Sequence, residues 1–119
     1  MGKTRRPKET QGICIRKMTG CGKLYVTTGE AEGKLLEIFA SLGKAGGCAK
    51  AQLEALTRSI SLGLKYGVPL EEYIDELIGI RCPSPNLIGN PEEEVLSCID
   101  AIAKVLRDFN KPKKAVVEK

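Results

Sequence analysis

The sequence predicts an α+β fold, a three-stranded antiparallel meander followed by three helices packed on one sheet face. Three observations predict it. Between residues 13 and 41 apolar residues alternate in short runs separated by Gly-rich connections. Beyond Gly46 they recur every three or four positions. Strands that come first and helices that come second leave the helices to cover one face of the sheet.

Residues 13–18 read as the first strand, with Ile13 and Ile15 on one face and Cys14, Arg16 and Met18 on the other. Thr19-Gly20-Cys21-Gly22 is a tight connection whose glycines are free to take positive φ. Residues 23–28 form the second strand, with Leu24 and Val26 opposite Tyr25 and Thr27. A polar loop, Gly29–Gly33, leads to a third strand over 34–41. There Leu36 and Ile38 face one way, and Leu35, Glu37 and Phe39 the other. The period then changes. Ala49, Leu53, Leu56, Ile60 and Leu64 form one stripe of a helix from about Cys48 to Tyr66, stopped by Gly67. Pro69 suits the first turn of a second helix, with Tyr73, Ile74, Leu77 and Ile78 inward and Gly79 as its stop. Residues 80–89 make a Pro-rich loop. A last helix carries Val95, Ile99, Ile102, Leu106 and Phe109 on one stripe. Its start has two readings: Asn90, Pro91 and Glu93 as cap, first position and capping acid, or Ser97 with Asp100 capping a later start.

The 119 residues suit a single domain, expected over 12–109 between a basic flexible arm (1–11) and a basic flexible tail (110–119). The formal net charge of +4 resides in the ends: residues 1–10 and 110–119 each carry +3, and the stretch between them −2. Such ends hold phosphate backbones or simply solubilise, so nucleic-acid contact through the tails is one expectation. No run approaches a membrane span, and no apolar segment follows the basic start, so a cytoplasmic protein with no membrane contact is expected.

Reduced thiols follow from that compartment, and five cysteines, an odd number, suit a disulfide framework poorly. Four of them sit among turn residues: Cys21 in Thr-Gly-Cys-Gly-Lys, Cys48 in Gly-Gly-Cys, Cys82 in Arg-Cys-Pro-Ser-Pro, and Cys98 in Ser-Cys-Ile-Asp. Backbone that bends tightly is what a metal ligand needs. With no His in the chain, four thiolates around tetrahedral zinc are the matching chemistry. No Cys-x-x-Cys occurs, so the fold would have to assemble such a site, and four idle or packed thiols remain the other reading. Cys14 lies in an alternating run without turn neighbours and reads as a packing or surface thiol. The loop from Gly43 to Cys48 gives a low-ranking anion site at Lys44, Gly46 and Gly47, where N–H groups meet a helix start. It lacks the Gly-Lys-Ser/Thr ending of a P-loop. Without His, no Cys-His or Ser-His pair is available for nucleophilic catalysis.

Taken together, Thr19-Gly-Cys-Gly-Lys-Leu-Tyr-Val26, the segment Gly43 to Glu54, Gly79-Ile-Arg-Cys-Pro-Ser-Pro85 and Ser97-Cys-Ile-Asp-Ala-Ile-Ala103 resemble the TSCPD domain. That family is found near the C-terminus of adenosylcobalamin-dependent (class II) ribonucleotide reductases and in short stand-alone proteins. The name motif departs here to Leu96-Ser97-Cys98-Ile99-Asp100, without its Thr and Pro. The resemblance implies that Cys21, Cys48, Cys82 and Cys98 are the family's recurrent cysteines and strengthens the expectation of a shared zinc site. It also implies an accessory module of deoxyribonucleotide synthesis with a protein partner, a ribonucleotide reductase among the choices. Such a module is not an enzyme by itself, because the catalytic barrel does not fit in this length. The rival functions are a thiol redox protein cycling a cysteine pair and a nucleic-acid-binding protein acting through its ends.

Overall fold

A computed structural model describes residues 2–43, 47–87 and 94–110. Strands β1 (Cys14–Thr19), β2 (Gly22–Ala31) and β3 (Lys34–Leu42) pair antiparallel in the order β1-β2-β3. Helices α1 (Gly47–Lys65), α2 (Leu70–Leu77) and α3 (Cys98–Asn110) follow. This is the predicted α+β meander with three helices after it.

The β2–β3 connection is tighter than the loop expected. Ala31 pairs with Lys34, and Glu32 and Gly33 both take positive φ (55° and 77°). Two such residues make the turn whose twist matches a hairpin. Register then fixes the inner face: Val26 lies opposite both Ile15 and Ala40, and Leu24 lies opposite Leu42. Leu24, Val26, Ile38 and Leu42 pack with Ile60 of α1 and with Ile102, Val105 and Leu106 of α3. Two expectations change. Ile13, read as sharing a face with Ile15 in the first strand, precedes β1 and is exposed. Leu35, Leu36, Glu37 and Ile38 are all buried, so β3 does not alternate there.

A register shift between Gly29 and Glu30, opposite Leu35 to Glu37, breaks the alternation, and Arg6 of the N-terminal segment covers Glu37 on the other face. Ser61 Oγ accepts from Ile38 N (3.0 Å) and donates to Ile38 O (3.1 Å), so α1 lies along the free edge of β3. Its end is a Schellman motif on Gly67 (φ 93°), with Val68 N on Gly63 O and Gly67 N on Leu64 O. Gly63 also lets α2 come close, because a Cβ there would collide with the Tyr73 hydroxyl. Tyr73, Ile74 and Leu77 of α2 pack half-buried against the core.

The last helix takes the later of its two starts. Ser97 Oγ accepts from Asp100 N (2.9 Å), and the helix begins at Cys98. The earlier cap, at Asn90, Pro91 and Glu93, falls outside the described residues. Val95, read as part of the helical stripe, is extended instead and bridges Asn86. It is buried all the same.

Residues 2–11, expected to be a flexible arm, make specific contacts. Thr4 N bonds Lys65 O (2.7 Å), Gln11 pairs with Glu30, and Arg6 forms an ion pair with buried Glu37. The expected tail beyond Asn110 lies outside the described residues.

Candidate functional site

Three of the four singled-out cysteines come from segments that converge at one end of the sheet. Cys21 sits in the β1–β2 turn. Thr19 Oγ1 shapes that turn by accepting from Cys21 N (3.1 Å) and donating to Gly22 O (2.8 Å). Gly22 takes a φ of 130°, which a side chain would resist. Gly20 matters for a different reason: a Cβ there would overlap the Ser84 carbonyl. Its absence lets the turn lie directly against the Cys82 loop.

That loop is anchored from both sides. Cys82 N donates to Leu96 O (3.0 Å), Asn86 Nδ2 donates to Met18 O (2.8 Å), and Asn86 and Val95 exchange backbone bonds. Ser84 N points at Cys82 Sγ (3.3 Å), as an N–H that supports a thiolate does. Cys98 occupies the first position of α3, and its Sγ donates to Thr19 Oγ1 (3.6 Å). The Cys98 thiol therefore meets the β1–β2 turn across 79 positions of chain.

Burial is the largest influence on the Cys98 thiol and pushes its pKa up. The Thr19 contact opposes that shift. The Cys21 thiol beside it and the charge of Cys82 push further up. Like charges crowded in a half-buried place disfavour ionisation, and a cation among them would reverse the effect.

Beneath the thiols lies a polar anchor. Asp100 is fully buried; its Oδ1 accepts from Gly79 N (2.8 Å) and its Oδ2 from Leu96 N (2.9 Å). Lys104 Nζ stands 2.9 Å from Oδ2 and also donates to Glu94 O (2.7 Å). Burial would raise the Asp100 pKa, but these donors and the ammonium outweigh it and hold the carboxyl below its ordinary value. Ser97 Oγ adds a bond to Ile80 O (2.6 Å). The anchor fixes the start of α3, and with it Cys98, against the Cys82 loop.

Cys48 is placed otherwise. It is exposed in the first turn of α1 and is not among the groups acting on Cys98. Among the described residues, no three Cys, Asp or Glu side chains form a ready-made metal-holding group. Of the expected anion site, Gly47 opens α1, while Lys44 and Gly46 lie outside the described residues. Cys14 is exposed on β1, away from this end. The residues missed by sequence reasoning are Thr19 and Asn86. A Thr two positions before Cys in a Gly-rich turn was the available signal for the first. Asn86 pairs across 68 positions and gave none.

The TSCPD domain profile matches residues 2–110. The chain belongs to the TSCPD domain family. It is similar to part of several larger proteins named vitamin B12-dependent ribonucleotide reductase. That of Agrobacterium fabrum is 41% identical over 70 residues, which cover 58% of this chain and 6% of the relative. That of Bradyrhizobium diazoefficiens is 36% identical over 86 residues, covering 71% and 7%. That of Streptantibioticus cattleyicolor is 29% identical over 96 residues, covering 80% and 16%. The chain thus spans a small fraction of the length of the relatives it matches. No solved structure matches the chain. Among the described residues of this TSCPD domain, no helix is long and apolar enough to cross a membrane.

Proposed function

We propose that this TSCPD chain serves vitamin B12-dependent ribonucleotide reduction as a small accessory module, its shape held by zinc on cysteine sulfur. The observation that supports it is the convergence of Cys21, Cys82 and Cys98 from a hairpin turn, a Pro-rich loop and a helix start. The donor chemistry fits zinc, which four-coordinate thiolate sites hold without redox change. Cys21, Cys82 and Cys98 would supply three ligands; Cys48, exposed in the first turn of α1, would have to swing in from outside this cluster to be the fourth. Zinc would add a cross-link to segments already joined by hydrogen bonds. The chain's own part is to present the sulfurs: Gly20 permits the approach, Ser84 N supports Cys82, and Asp100 holds the α3 start.

Elemental analysis with a thiol count tests the site, on protein purified without added metal. The expected result is about one zinc per chain, with metal content and melting temperature falling together on Cys21→Ser, Cys82→Ser or Cys98→Ser. Cys14→Ser should change neither. Equal stability with and without metal sinks the zinc reading. Association is tested separately, by sedimentation of this chain with a vitamin B12-dependent ribonucleotide reductase, and no complex would sink the accessory role.

A thiol redox role is the second reading, favoured by the place of the Cys98 thiol against the turn that carries Cys21. It stands lower because the raised pKa of Cys98 leaves little thiolate to attack a disulfide. A count of three free thiols in the purified protein, with no metal, would put it first.

A further inference from the structure

The three-stranded sheet has a second face, away from α3, and its uncovered part is aromatic and cationic. We propose that this face binds single-stranded nucleic acid. Tyr25 and Phe39 stand on it 37% and 49% exposed, on neighbouring strands. Register places Arg16 and Ser41 on either side of Tyr25, and Thr27 beside Phe39. The two rings are diagonal neighbours, close enough to take adjoining bases. Lys23 extends the cationic row along β2.

Acidic groups are screened from it. Glu37, two positions from Phe39 on this face, is buried and paired with Arg6, where the N-terminal arm covers the sheet. Beside Phe39 and Ser41, Lys50 and Arg58 of α1 line a groove whose acid, Glu54, pairs with Arg58. Exposed rings would stack on bases, which all carry a π-face, while Arg16, Lys23 and Lys50 meet the phosphates. An exposed positive sheet carrying two rings complements a polyanion of splayed bases; an acidic protein surface supplies the charge without the stacking.

The test uses the full chain and fluorescein-labelled single-stranded RNA and DNA of mixed sequence, roughly ten nucleotides long to span one small sheet. Anisotropy at low salt should report binding that weakens steeply as salt rises. Tyr25→Ala and Phe39→Ala should each weaken it roughly 5- to 100-fold. Arg16→Ala should flatten the salt dependence. Leu62→Ala, exposed on α1 and not lining the groove beside Phe39, should leave it unchanged. All four variants should still melt in one cooperative step above the assay temperature, because the substituted side chains lie outside the core cluster. Absence of binding at low salt overturns the proposal. So does binding that the Tyr25→Ala/Phe39→Ala double variant retains, which would assign it to the basic ends. If the parent instead self-associates and the double variant does not, the face is an interface between copies, and the nucleic-acid assignment is overturned.

Discussion

Asp100 joins three parts of the molecule through one carboxylate: the stop of α2 at Gly79, the strand-like stretch before Ser97, and α3 itself. Removing it would strand two buried N–H groups and the Lys104 charge. Asp100→Ala should therefore cost roughly 3–5 kcal/mol, read as a loss in urea unfolding free energy. The sign of the pH effect follows from the lowered folded pKa. Asp100 contributes its full stability above the unfolded carboxyl value of about 4, and loses it as pH falls through the lower folded value. Parent protein should thus destabilise through the acid range below about pH 4, and Asp100→Asn should show a shallower acid limb. A variant with the parent's acid limb would refute this assignment. Gly20 answers to geometry instead of charge. Gly20→Ala must push the Ser84 backbone away, at about 1–3 kcal/mol, and should raise the reactivity of Cys82 and Cys98 towards a thiol reagent. Unchanged thiol reactivity would mean that the turn and the loop move together.

At the scale of elements, α1 and β3 are joined by a polar clasp inside an apolar contact. Ser61→Ala leaves both Ile38 N and Ile38 O without their partner and should cost about 1–3 kcal/mol, measured by chemical denaturation. If the cost is negligible, water has replaced the hydroxyl. This clasp also marks where pattern reading stopped. The helix α1 was legible because its apolar stripe is regular and Gly67 ends it. The first half of β3 was not, because a register shift opposite Leu35 to Glu37 breaks the alternation and the N-terminal segment covers Glu37 on the other face. The start of α3 offered two caps of equal quality, and tertiary bonds from Asp100 to Gly79 and Leu96 decide between them. Val95 kept the helical spacing by coincidence; it is extended and bridged to Asn86, and its side chain packs in the core cluster. In the site, the turn residues beside Cys21, Cys82 and Cys98 mark segments that meet at one end of the sheet, whereas those beside Cys48 mark a helix start elsewhere. Which thiols meet depends on Gly20, Asn86 and the register of β1, and spacing along the chain carries none of that.

For the whole molecule, the N-terminal arm is the clearest departure from a reading by composition. Arg6 lies over Glu37, whose side chain is 4% exposed, so a carboxylate in the sheet depends on a residue that looks like part of a solvated tail. Arg6→Ala should lower the melting temperature by several degrees, and Glu37→Gln in that background should restore much of it. Loss without rescue would trace the effect to the arm's backbone bonds. The edges of the sheet have a consequence for behaviour in concentrated solution. On β3 the Ser61 hydroxyl occupies the outward N–H and C=O of Ile38, and on β1 the Asn86 amide occupies the outward C=O of Met18. An incoming strand from another molecule would have to evict these side chains before it could pair there. The sheet is thereby guarded against runaway edge-to-edge growth, a hazard that would otherwise attend a small protein with both margins open.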